Sequence, residues 1–300
     1  MKRSIAQKGL SAVLAALVPF SLVAQDAQLS TPVSHELVFD AKQSTYVAPM
    51  APSGMIDLVP PVVRPARSPL IAGFLGVVPG LGHFYLGEMD KGSLLLGSTV
   101  AGGVASMMLK EDPYLLSTGV HATTGLMMYS VFAAYRGAHL YNGNAFLNLP
   151  RDNLKQLAAA SFKWSVIKKP EVWGGILGSL ALAATVVHFA YPEAACAKVN
   201  TVYVYPFSAF PIGMGEESLF RGFIQTALME RMSPWGAIAL SSLIFGAAHI
   251  PNANGMDKEN RNRYYTYSLP LISTLGAYAG WLTYKNHSLQ ESVAVHAWEF

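Results

Sequence analysis

Three charged side chains fall inside one apolar run, and that run limits what the chain can become. Residues 215–222 read G-E-E-S-L-F-R-G, between the largely apolar stretches 202–214 and 223–229. Glu217 and Arg221 are four residues apart, so on a helix they share a face and can pair. Glu216 is turned about 100° from Glu217 and can point elsewhere. Each charge in such a segment is costly unless paired or hydrated. Three together ask for an enclosed polar pocket, which a plain structural helix does not need.

Composition supplies the setting. Of 300 residues, 52% are hydrophobic and 13% charged, whereas a soluble domain carries roughly a quarter charged. The apolar runs are continuous, which argues against the alternating strands of a membrane barrel. The expected fold is therefore all-α, a polytopic helical transmembrane bundle, preceded by a signal peptide and a short disordered arm. Candidate spans are 92–109, 114–135, 172–191, 202–229, 235–249 and 268–284, by the rule of roughly 17–25 apolar residues per crossing. A net charge of +3 without a basic stripe excludes a nucleic-acid partner. The single cysteine, Cys196, excludes an intramolecular disulfide and a thiolate metal cluster.

In chain order, residues 1–25 read as a secretory signal, with Lys2, Arg3 and Lys8 before an apolar core; an uncleaved anchor is the other reading. Residues 26–68 read as an extended, Pro-rich arm. An N-terminal membrane domain is expected over 69–142, a basic linker over 143–171 and a second membrane domain over 172–300. The linker carries Arg151, Asp152, Lys155, Lys163, Lys168 and Lys169, and reads as an amphipathic or surface segment. The basic excess over 136–169 places that side of the protein in the cytoplasm. Multi-pass insertion in a bacterial inner (cytoplasmic) membrane is the expectation, with the lipid bilayer as partner.

Polar groups recur on three apolar segments of the last third: Glu216, Glu217 and Arg221 on the first, His249 closing F-G-A-A-H on the second, and His296 on the third. Two imidazoles and a carboxylate are the groups needed to activate water. Glu216, His249 and His296 can equally hold a divalent metal such as zinc with one position open. His121, His139, His188 and His287 follow no spacing pattern and receive no role, and His83 reads as a satisfied histidine beside Phe84 and Tyr85.

The order E-E-x-x-x-R, F-x-x-x-H and a C-terminal histidine, over about residue 172 to the end, resembles the CAAX-processing and bacteriocin-processing (CPBP, Abi) intramembrane proteases. The resemblance implies an intramembrane endopeptidase acting on a peptide or membrane-associated protein. It implies that Glu216 activates the attacking water, with Glu217 and Arg221 as its partners. His249 would bind or polarise that water. His296 would be the third-motif histidine, paired in the family with Asn or Asp four residues later to form an oxyanion site. That position here is Phe300, whose side chain has no donor. The departure supports an alternative, a non-catalytic relative acting as an immunity, scaffold or partner-binding factor. A transporter with an intramembrane ion pair is a third reading. Upstream, P-G-L-G-H-F-Y-L-G (79–87) resembles a small bacterial membrane domain in which P-G-x-G-x-F-Y-x-G joins two short spans.

Overall fold

The computed structural model describes residues 65–192 and 206–298. The expected signal peptide, nearly all of the expected arm, Cys196 and Phe300 lie outside the described residues. The described residues are helical, with no strand among them. Short α1 (Pro69–Leu75) and α2 (Leu81–Leu86) precede two long helices, α3 (Met89–Met108) and α4 (Pro113–Tyr141). A connector follows with α5 (Leu154–Ala159), a 3-10 turn (Ala160–Phe162) and α6 (Trp164–Ile167). Next come α7 (Pro170–Ala190) and α8 (Pro206–Glu217), the latter continued by a π-helix (Ser218–Gln225) and α9 (Thr226–Met229). The chain then forms α10 (Pro234–Ala248), a 3-10 turn (Ile250–Ala253) and α11 (Lys258–Arg263). A second π-turn (Tyr264–Ser268) leads into α12 (Leu269–Asn286), and α13 (Gln290–Trp298) follows.

Local chemistry sets several of these boundaries. Ser68 and Ser233 precede Pro69 and Pro234, and each serine oxygen accepts a backbone N–H of the first turn, from Ile71 and Gly236, both at 3.3 Å. Serine outside the helix and proline at its first position are both favoured there. Asn153 and Gln156 form a reciprocal capping box at the start of α5.

Helix α4 is the central strut, packed against α1, α3 and α8. Phe132 and Tyr135 of α4 share one core with Leu149 and Leu157 of the connector, Phe223 of the π-helix, and Leu289 and Val293 at α13. The segment read as a basic linker is therefore half core: Leu149, Leu157, Ala160 and Val166 are buried while Lys155, Lys163 and Lys168 are exposed. Close backbone approach joins the two sides of the molecule. A Cβ on Gly215 of α8 would lie 2.4 Å from the Gly125 Cα of α4, so only glycine fits there.

Two helices among the described residues are long and apolar enough to cross a membrane, Pro170–Ala190 and Pro234–Ala253. The other expected spans fall short of that standard for visible reasons. Helices α3 and α4 carry Gly, Ser, Thr and His residues, and the run after Pro206 is broken by Pro211 and the π-helix. Outer faces are apolar on helices of both kinds, with Val100, Val104 and Met108 of α3 and Leu177, Leu180 and Phe189 of α7 exposed. An apolar outside around a core holding buried charges fits a helical membrane protein. The described part of helix α13 is enclosed: residues 291–297 are all buried.

Candidate active site

The five residues singled out by the sequence converge. Glu217 is fully buried and Arg221 is 1% exposed, and they form an ion pair with Arg221 Nη1 3.1 Å from Glu217 Oε1. The guanidinium also donates from Nη2 to the Gly276 carbonyl at 2.8 Å and lies 4.3 Å from the centre of the Phe245 ring. One turn later the pattern repeats, as Gln225 Nε2 donates to the Gly280 carbonyl at 3.0 Å. Both glycines lack the side chain that would block this approach: a Cβ on Gly276 would stand 3.0 Å from Arg221 Nη2, and one on Gly280 would stand 2.5 Å from Gln225 Oε1. The π-helix and α12 are thus zipped together by polar groups inside the bundle. Wide π turns of this kind recur where a helix must aim functional side chains.

Each histidine is anchored through its Nδ1. His249 closes α10, where the last carbonyls lack helical partners. Its Nδ1 lies 2.8 Å from the Phe245 carbonyl. A carbonyl only accepts, so Nδ1 carries the proton and Nε2 is bare in the neutral ring. Tyr264 donates its hydroxyl to the His249 carbonyl at 3.0 Å, which fixes the turn. His296 on α13 donates from Nδ1 to Glu217 Oε1 at 2.7 Å. A carboxylate fixing one imidazole nitrogen sets the tautomer and the orientation of the other.

Glu216 differs from its neighbour. Its Oε2 is buried without a hydrogen-bond partner among the described residues. It stands 3.6 Å from His296 Nε2 and 4.0 Å from His249 Nε2. Both gaps are longer than a direct hydrogen bond. Those gaps suit a bridging water that donates to the carboxylate.

The residue types suit zinc better than their spacing does. Ligands on tetrahedral zinc at about 2.0–2.1 Å sit roughly 3.4 Å apart, and the Glu216 to His249 gap is wider, at 4.0 Å. Among the described residues no group of three or more His, Cys, Asp or Glu side chains is arranged to hold a metal ion. As placed here, Glu216, His249 and His296 do not form a tetrahedral zinc set, and no step below passes through a metal.

All five residues line one cavity of about 440 Å³. Ile212, Ile272 and Leu275 give it an apolar wall. It also contains residues that sequence reasoning passed over. His121 reaches it from α4, and Asn252 lines it from the turn after His249. His121 offered no motif; its one signal was an imidazole inside an otherwise apolar helix. Asn252 sat in plain view three residues after His249.

A comparison with family models bears on this cavity. Residues 198–298 match the Rce1-like family, described as type II CAAX prenyl endopeptidase Rce1-like. The C-terminal third of the chain is similar to a protease family. The Rce1-like match encloses Glu216, Glu217, Arg221, His249, His296 and Asn252. It extends neither to His121 nor to the glycine-rich motif at 79–87. No curated protein and no solved structure matches the chain.

The last helix is positioned from afar. Asp152 is buried and accepts from Leu289 N at 2.7 Å, Ser288 Oγ at 3.1 Å and Gln290 Nε2 at 2.7 Å. Its carboxylate therefore caps the N-terminus of α13, where negative charge is favoured. Lys169 pairs with Glu291 at 2.6 Å on the same turn. The connector thus holds the helix that carries His296.

Proposed function

We propose that the protein is an intramembrane endopeptidase in which Glu216 activates water for attack on a peptide carbonyl. The observation that carries this reading is the unpartnered Glu216 Oε2 facing two imidazole nitrogens across gaps of 3.6 and 4.0 Å. A water bridging those gaps gives one proton to Glu216 as its oxygen bonds to the carbonyl carbon. When the carbon–nitrogen bond breaks, Glu216 returns that proton to the leaving amine. His249 and His296 orient the water. Glu217 and Arg221 act one step back: Glu217 holds His296, and Arg221 neutralises Glu217 where a lone charge would be costly.

The tetrahedral oxyanion needs a donor. Phe300 has none in its side chain, but the Asn252 amide and the His121 ring border the same cavity. Asn252 is assigned the donor role. The apolar wall suits a hydrophobic side chain beside the scissile bond, so the substrate is a membrane-associated protein or an apolar peptide. The protein lies in a lipid bilayer as a multi-pass protein of a bacterial inner membrane.

One feature favours a second reading, a non-catalytic relative that binds a partner: Phe300 stands where the resembling proteases carry Asn or Asp. Reconstituted full-length protein incubated with membrane-derived and synthetic apolar peptides separates the two readings. Products made by the wild type and lost in Glu216→Ala support hydrolysis. Equal product patterns from both would dismiss the role of Glu216, and a phenotype retained by Glu216→Ala and His249→Ala would favour the binding protein.

A further inference from the structure

The glycine-rich motif at 79–87 plays no part in the proteolytic reading, yet it builds a second cavity. Gly87 adopts φ +81°, and the chain turns there so that the Glu88 N–H bonds back to the His83 carbonyl at 2.9 Å. This turn places the Glu88 carboxylate 2.6 Å from His83 Nδ1 and 2.7 Å from Lys91 Nζ. Both oxygens of Glu88 are thereby engaged. His83 is buried and satisfied, as its sequence context suggested.

The cavity beside this cluster has a volume of about 440 Å³, within the roughly 300–1,000 Å³ range of small-molecule sites. Lys91, Arg136 and Lys155 bring three positive charges to its walls, against the single carboxylate of Glu88. Arg136 spends one N–H on the Asp152 carbonyl, and its guanidinium lies over the Phe132 ring. Among the described residues no carboxylate pairs with Arg136 and nothing pairs with Lys155. The Asp152 carboxylate is turned away, onto the start of α13. Leu94, Leu140 and Leu154 give the wall an aliphatic part, beside Tyr129, Tyr141 and Asn153. A cavity with surplus positive charge and a greasy wall matches a ligand with an anionic head and an apolar body.

We infer that this cavity, built by α2, α3, α4 and the connector, binds a phosphate group, as a free anion or as the head of an acidic phospholipid. Arg136 and Lys155 supply charge-assisted hydrogen bonds to the phosphate oxygens. Leu94, Leu140 and Leu154 cover the glycerol and upper acyl segments when the phosphate belongs to a lipid. The site is separate from the Glu216 cavity and does not depend on whether that cavity hydrolyses peptides. It also gives the connector a second task, since Asp152, which caps α13, offers its carbonyl to Arg136.

The test uses purified full-length protein in a neutral detergent. Three probes are titrated: short-chain phosphatidic acid, inorganic phosphate and short-chain phosphatidylcholine. Lys155 is exposed, so Lys155→Glu leaves the fold intact, and Lys155→Arg keeps the charge. The expected result is saturable binding of phosphatidic acid to wild type and Lys155→Arg, weakened at least about fivefold in Lys155→Glu. Inorganic phosphate binding as tightly as the lipid, with the same sensitivity to Lys155→Glu, assigns the site to free phosphate. Absence of saturable binding by either anionic probe would overturn the proposal. So would equal affinity of wild type and Lys155→Glu, or phosphatidylcholine binding as tightly as phosphatidic acid.

Discussion

Replacing each of the two adjacent glutamates by glutamine should have very unequal consequences for stability. In Glu217→Gln, the Arg221 guanidinium, 1% exposed, keeps the Gly276 carbonyl and the Phe245 ring but loses its only anion among the described residues. His296 loses its charge-assisted bond at 2.7 Å. Breaking a buried pair by removing one partner costs about 3–5 kcal/mol. For a chain of this size that corresponds to a Tm lower by roughly 6–20 °C. Glu216→Gln removes no hydrogen bond from Oε2, which has none among the described residues. Its Tm should stay within about 2 °C of wild type, as for a change near zero in stability. Thermal unfolding of the full-length proteins in one detergent, followed by intrinsic fluorescence, gives both values side by side. Equal losses in the two variants, or a Glu217→Gln protein as stable as wild type, would refute the division between a structural and a chemical glutamate.

Three further outcomes follow from the same geometry. Asp152→Ala removes the cap of α13 and should lower stability by about 1–3 kcal/mol, with peptide cleavage falling further because His296 is no longer fixed; urea unfolding and cleavage rates check the two effects. Asn252→Ala should reduce kcat by about 10²–10³-fold with little change in KM, as loss of an oxyanion donor does, whereas an unchanged kcat would remove Asn252 from the chemistry. Burial works to raise the Glu88 carboxyl, but His83 and Lys91 overcome it and hold the group down, from 4.5 to about 2. The stabilising effect of that depressed carboxylate is complete above about pH 4.5 and fades as pH falls toward about 2. Tm differences between wild type and Glu88→Gln should therefore shrink over that window, and a difference independent of pH would contradict the pairing.

Much of the site could be read from the sequence because polar groups in apolar helices are expensive and so conspicuous. Glu217 and Arg221 share a face by spacing alone, and their contact at 3.1 Å follows. Long-range partners were not readable. Nothing in the sequence around Asp152 indicates that its carboxylate meets Leu289, 137 residues away, because capping between distant segments leaves no local period. The Arg221–Gly276 and Gln225–Gly280 rungs have matching spacings on two helices, but pairing them needs the helices' relative register. The π-helix was hidden for a related reason: a run of eight residues, Ser218–Gln225, is too short for a wider period to stand out from 3.6. The connector is amphipathic, as read, but its lysines dominate the composition and hid which residues, Leu149, Leu157 and Val166, carry the packing.

The most direct test of the central claim is an experimental density map of the Glu216 cavity in lipid at a resolution that shows ordered water. One water oxygen is expected about 2.6–3.2 Å from Glu216 Oε2 and from an imidazole Nε2, with Glu217 still bound to His296 and Arg221. A Glu216 carboxylate hydrogen-bonded to a protein donor, or turned away from both histidines, would contradict it.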